Sequence, residues 1–240
     1  MTAVLRVRDV VTDGTGGFRL GPLSLEMARG EALAVVGRAG AGKSLFLRSL
    51  IGLSWPRAGT VEIDGVPLER ERLRELRDKV GFAFQRDALV DDLTALENVA
   101  LAARGRGRGN ASDRARAALD AVGLEGAYDK LPMELSGGMR RRVGLARALV
   151  TEPALLLCDD ATAGLDPSTS VEVLERVLKG ARRGDAAVLL STHDVDAVLP
   201  RVDRVLLLEA GRVSYLGSAA GLLTREETRA FAPLLGEAST

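Results

Sequence analysis

Three separate stretches of the chain place polar, chemically capable residues directly after apolar runs. In the first, Gly37-Arg38-Ala39-Gly40-Ala41-Gly42-Lys43-Ser44 follows residues 32–36 and precedes a helix-like segment, residues 45–51. Glycines at this spacing let the backbone wrap an anion, and the unpaired N–H groups and dipole of the following helix favour negative charge. The pattern is that of a phosphate loop. Lys43 is spaced to reach the β- and γ-phosphates of a nucleoside triphosphate, and the Ser44 hydroxyl to bind Mg²⁺. Asp159 and Asp160 follow a second apolar run at 154–158, and His193, the single histidine, follows a third at 186–190. Asp159 suits the acidic group that holds Mg²⁺, often through water. A polar imidazole at 193 could donate to a γ-phosphate and help place an attacking water.

These groups converge only if the runs before them are neighbouring strands. Alternating apolar and polar residues predict two strands, 4–11 and 18–27, around a Gly-rich turn at 12–17. The continuous apolar runs at 32–36, 154–158 and 186–190 predict strands buried on both faces. Residues 60–65 read as an edge strand, 68–79 as a charged amphipathic helix and 80–85 as a further strand. From 87 to 150 the pattern is helical. Thr94-Ala95-Leu96-Glu97 fits a capping box for a helix to about 104, and a second helix is expected over 113–122. The Gly/Arg alternation at 105–110 reads as a solvated loop. A third helix carries Met139, Val143, Ala146 and Val150 on one face; Arg140, Arg141 and Arg142 suit a solvated surface as well as a specific contact. Residues 170–179 predict a helix, 205–209 and 213–216 a final hairpin, and Thr224-Arg225-Glu226-Glu227 a second capping box in the tail. The expected fold class is α/β: a phosphate-loop NTPase core with a mostly parallel sheet, antiparallel strands near the N-terminus and an inserted helical subdomain. Ligands of such sheets collect at the carboxyl ends of the strands, where the polar groups fall.

Composition narrows the partners. Lys plus Arg and Asp plus Glu number 33 each, so no net positive field draws nucleic acid, and none is expected as a partner. One cysteine, Cys158, excludes an internal disulfide framework and a multi-cysteine zinc site. The N-terminal residues lack a secretion signal, and the apolar runs are too short to span a bilayer, so a cytoplasmic chain is expected.

Taken together, these residues resemble the ABC ATPases over nearly the whole chain. LSGGM at 135–139 is similar to that family's signature sequence, Gln85 to its Q-loop glutamine, residues 163–166 to its D-loop, Asp160 to its catalytic carboxylate and His193 to its switch histidine. The resemblance implies an ATPase using ATP and Mg²⁺, with Lys43, Gln85, Asp160 and His193 catalytic and Ser44, Gln85 and Asp159 around the metal. It implies a head-to-tail homodimer in which Ser136, Gly137, Gly138 and Asp166 complete the ATP site of the opposite chain. It also implies a core over 1–86 and 151–217, a helical subdomain over 87–150, and a tail over 218–240.

Two positions depart from the family pattern. Asp160 is followed by Ala161 where the family has Glu and Pro, and 11–14 lacks the aromatic that commonly stacks on adenine. Phe18 is nearby and reads first as a core strand residue. A lone nucleotide-binding domain resembles the separate ATPase subunit of a transporter, peripheral on the cytoplasmic face of the membrane and coupled to an integral membrane permease, which alone would meet the transported substrate. Residues 84–89 and 135–149 are most similar to the mammalian-cell-entry type, which implies lipid transport; a permease for another solute, or a soluble non-transport ABC ATPase, is the alternative.

Overall fold

The fold is taken from a computed structural model, which describes residues 3–85, 88–104, 109–160 and 167–223. Strands β1 (Ala3–Asp13) and β2 (Arg19–Ala28) form an antiparallel pair. Their alternation sends Leu5, Val7, Leu25 and Met27 to one buried face. Strand β3 (Ala32–Val36) then delivers the chain into the phosphate loop and helix α1 (Lys43–Leu50). Next come β4 (Ala58–Ile63), β5 (Val66–Pro67), α2 (Leu73–Asp78) and β6 (Val80–Ala83). Helices α3 (Ala95–Ala103), α4 (Ala111–Ala121) and α5 (Gly137–Leu149) pack on one another. The chain continues through β7 (Leu155–Cys158), α6 (Pro167–Arg183), β8 (Ala187–Ser191), α7 (Val195–Val198), β9 (Arg204–Glu209), β10 (Arg212–Ser218) and α8 (Ala219–Leu223).

Two sheets result. The first is antiparallel in the order β2-β1-β4-β5; the second runs β10-β9-β3-β8-β7-β6, parallel throughout except for β10. The parallel sheet is covered on both faces, which explains its unbroken apolar strands. In β3, Ala32, Ala34 and Val36 face the core shared with the helices, whereas Leu33 and Val35 face the core shared with α1 and the antiparallel sheet. In β7, Leu156 and Cys158 take the first side and Leu155 and Leu157 the second. Burying one such side chain contributes about 1.5–3 kcal/mol, so exchanging the faces of any strand would cost several times the effect of one polar contact.

The α/β class and the mostly parallel sheet are as the sequence predicts; several boundaries differ. The helix expected over 68–79 is confined to α2, because the Leu68 N–H donates to the Val61 carbonyl (2.8 Å) and holds the chain on the sheet. Strand β4 is flanked by β1 and β5, so it is not an edge. Helix α4 begins at Ala111 because Asn110 caps it, accepting from the Ser112 N–H at 3.0 Å. Helix α6 continues through Gly180 to Arg183, past the expected 179. The capping box of α3 forms as predicted, with the Thr94 hydroxyl and the Glu97 carboxylate each accepting from the other's backbone N–H. The tail capping box, the D-loop and residues 105–108 lie outside the described residues.

Candidate nucleotide site

The three parallel strands β3, β7 and β8 are neighbours and end together, so their terminal residues meet. Gly42, at φ +105°, precedes Lys43 in a conformation that side chains other than glycine's rarely adopt. Lys43 and Ser44 are therefore the first helical residues of α1, where backbone N–H groups lack intrahelical partners. A Cβ at Gly37 would lie 2.3 Å from the Leu208 carbonyl oxygen, so glycine is required for the loop to pass β9.

Lys43 is buried, and its ammonium donates to the carbonyls of Gly37 (2.6 Å) and Arg38 (3.1 Å). Its Nζ lies 3.5 Å from Nδ1 of the exposed His193. Burial lowers the Lys43 pKa from the ordinary 10.5, and the nearby carboxylates of Asp160 and Asp159 partly oppose the shift. The Ser44 hydroxyl donates to Asp159 Oδ1 at 2.7 Å, and Ser191 donates to the same oxygen at 2.9 Å. The other Asp159 oxygen, Oδ2, is fully buried without a hydrogen-bond partner; the Arg48 guanidinium stands 3.7 Å away. An unsatisfied carboxylate oxygen beside a serine hydroxyl fits a hard divalent cation, which takes oxygen ligands. Among the described residues no cluster of three His, Cys, Asp or Glu exists, so such an ion would draw its remaining ligands from water and phosphate.

Asp160 occupies the left-handed region at φ +57°. Its N–H donates to Ser191 Oγ at 2.8 Å, and its carbonyl accepts from Arg141. Gln85 Nε2 is 3.5 Å from Asp160 Oδ2, the outer limit of a hydrogen bond. A cavity of about 840 Å³ brings these groups together, lined by Lys43, Ser44, Gln85, Asp160, Ser191 and His193, and reaching Phe18 and Asp13. Loop residues Ala39, Gly40, Ala41 and Gly42 also line it, whereas Arg38 is exposed beside it. Phe18 is half-buried against the antiparallel-sheet core, and a Cβ on Gly42 would lie 3.2 Å from its ring. The ring therefore packs against the core, the role the sequence favoured for it, and also borders the cavity.

Ser136, Gly137 and Gly138 do not line this cavity. They form the start of α5, with Ser136 and Gly137 exposed and the Ser136 hydroxyl accepting from the Met139 N–H at 3.2 Å. Asp166 lies outside the described residues. The sequence pattern missed Ser191 and Arg48 and left Arg141 open between surface and specific contact. Ser191 carried a readable signal, since it too ends a buried strand. Arg141 did not: it is 3% exposed, and its guanidinium donates to the carbonyls of Phe84, Asp159 and Asp160. Arg140 and Arg142 also make contacts, with the carbonyls of Leu135 (2.8 Å) and Gly123 (2.7 Å). Of the two readings weighed for these arginines, specific contact holds for the buried Arg141, whereas Arg140 and Arg142 remain partly exposed while also bonding carbonyls.

Comparison with known proteins places this geometry in a family. The methionine import ATP-binding protein MetN of Caulobacter vibrioides is 43% identical over 204 residues, 83% of this chain and 61% of the relative, so the chain spans about three fifths of that protein's length. Among solved structures, cbiO1 from Clostridium perfringens, part of the transporter complex cbiONQ, superposes with a TM-score of 0.84 at 27% identity, covering 98% of this chain and 96% of its own. The ATP-binding cassette MJ0796, solved as a dimer in a post-hydrolysis state with ADP and Pi, gives a TM-score of 0.81 at 31% identity over 90% of this chain and 98% of its own. Residues 20–163 match the family described as ABC transporter, and with the phosphate loop, the Ser44–Asp159 pair and the α5 N-terminus in place, this chain belongs to the ABC transporter family.

Proposed function

We propose that this chain is the ATP-hydrolysing subunit of an ABC transporter and works through a separate membrane permease. The observation that carries the reading is the single cavity that the phosphate loop, Gln85, Asp160 and His193 all line, with Ser44 paired to the buried Asp159 beside it. In this reading the loop residues from Gly37 to Gly42 cradle the phosphates, and Lys43 exchanges its carbonyl partners for the β- and γ-phosphates. Ser44 and Asp159, with Gln85, would hold Mg²⁺, whose charge would offset that building up on the phosphoryl group. Asp160 orients or deprotonates the attacking water, and His193 donates to the γ-phosphate.

The cavity lacks any contribution from Ser136, Gly137 and Gly138, although the start of α5 offers N–H donors to an anion. A second copy, packed head to tail, supplies them and Asp166; the similar cassette MJ0796, solved as a dimer, supports pairing of two copies. Two units are assigned, a core over 1–86 and 151–217 and a helical subdomain over 87–150, followed by a tail over 218–240. A cleft of about 840 Å³ between α2 and α3, lined by Arg70, Leu73, Arg74, Leu101 and Arg104, would receive a cytoplasmic helix of the permease. That association would hold the subunit at the cytoplasmic face; no helix among the described residues is long and apolar enough to cross a membrane.

The methionine import relatives favour a small solute as cargo over the lipid suggested by the mammalian-cell-entry resemblance. No transported substrate is assigned to this chain itself. The test is Mg²⁺-dependent ATP turnover by the subunit isolated with its permease, measured with methionine and with phospholipid. Lys43→Ala should reduce turnover at least about a hundredfold, the scale of losing one preorganised charge at a phosphoryl centre; near-normal turnover in that variant would refute the assignment.

A further inference from the structure

We infer that Arg141 is a positioning residue for hydrolysis, fastening the helix that begins with the signature sequence to the two strand ends that carry Gln85 and Asp160. The inference rests on the proposed ATPase reading and adds to it a residue that contacts neither phosphate nor metal.

The geometry begins with close packing. A Cβ at Gly81 would lie 2.3 Å from the Ala148 carbonyl oxygen, so α5 sits directly on β6 only because residue 81 has no side chain. That approach brings Arg141, one turn into α5, over the carboxyl ends of β6 and β7. There its Nη1 donates to the Phe84 carbonyl, immediately before Gln85, while its Nη2 donates to the carbonyls of both Asp159 and Asp160. Arginine suits this position because its planar fork presents several donors in fixed directions, whereas a lysine ammonium on a flexible stem is a point charge. Arg141 is 3% exposed, and its Nε has no hydrogen-bond partner, so carbonyl dipoles rather than water solvate most of the cation.

The consequence falls on Asp160. Its left-handed backbone is held at the N–H by Ser191 and at the carbonyl by Arg141, so the direction of its carboxylate depends on both. Gly137 and Arg141 lie on the same helix, so a displacement of the signature end of α5 shifts the clamp on Asp160. Occupation of the signature by a neighbouring chain's nucleotide would thereby be sensed at the hydrolytic carboxylate, through one side chain.

Steady-state hydrolysis, equilibrium binding of a fluorescent ATP analogue and circular dichroism on Arg141→Lys and Arg141→Ala test this. The expected result is native helix content, nucleotide affinity within about threefold of wild type, and kcat lowered about tenfold or more, with Arg141→Lys the milder variant. In an Asp160→Asn background, Arg141→Lys should lower the residual turnover by less than it lowers wild-type turnover, because part of its effect runs through Asp160. Unchanged kcat in Arg141→Lys, or losses that multiply in the double variant, would overturn the inference; a failure of Arg141→Ala to fold leaves Arg141→Lys to decide it. Absence of hydrolysis by the wild-type complex would instead refute the ATPase reading.

Discussion

Asp160 combines a short side chain with an unusual backbone. One methylene fewer than glutamate retracts the carboxylate by about 1.5 Å, half the reach of a hydrogen bond to an attacking water. A backbone at φ +57° redirects the side chain, and aspartate enters this region more readily than most residues. The retraction and the backbone geometry therefore belong to one local solution, secured by Ser191 and Arg141. Cys158, immediately before the two aspartates, has no such exposure. Burial raises its thiol pKa to about 12, with the Arg141 cation opposing the shift. Below pH 9 both folded and unfolded chains keep this proton. Between about 9 and about 12 only the unfolded thiol ionises, so its contribution to stability is lost as pH rises through that window. A disulfide reagent at pH 8 should accordingly leave the native protein unlabelled and titrate one thiol in denaturant; rapid labelling of the native chain would contradict the burial of β7.

Among elements, the helices differ in how their ends are secured. Helix α3 starts with a complete capping box at Thr94 and Glu97, and hydrogen bonds from Thr94 hold the Glu97 carboxylate below the ordinary range. Helix α1 starts on a left-handed glycine with no side-chain cap, which leaves its first N–H groups available to phosphate. Capping and binding thus compete for the same donors. Thr94→Ala should lower unfolding stability by about 1 kcal/mol in urea titration with ATP turnover unaffected. Legibility followed the same division. The Thr94 box and strand β3 depend on neighbours in sequence and could be read there, whereas the shortening of α2 comes from a hydrogen bond to Val61 that periodicity cannot register.

At the scale of the whole molecule, the phosphate loop and strand ends line one side of the proposed ATP site, while the start of the signature helix lies outside that cavity. The proposed dimer uses both surfaces at once, so its stability should depend on an intact γ-phosphate. Asp160→Asn with Mg²⁺ and ATP should shift the chain to twice its 25.4 kDa mass by light scattering, and Ser136→Glu in that background should return it to monomer through charge repulsion. A monomer in Asp160→Asn at saturating ATP would count against nucleotide-bridged pairing.

The sequence by itself determined which strands would be buried on both faces, because their unbroken apolar runs admit no solvent side, and it determined the chemistry of the phosphate loop, because glycine spacing and helix position act within a dozen residues. The tertiary structure decided what distant segments do to one another. It set the buried Asp159 between Ser44 and Ser191, brought Phe18 under Gly42, and turned Arg141 inward onto two strand ends. An arginine within a run of three looks the same in sequence whether it faces water or carbonyls; the close approach of α5 to Gly81 distinguishes them, and that approach exists only in the folded chain.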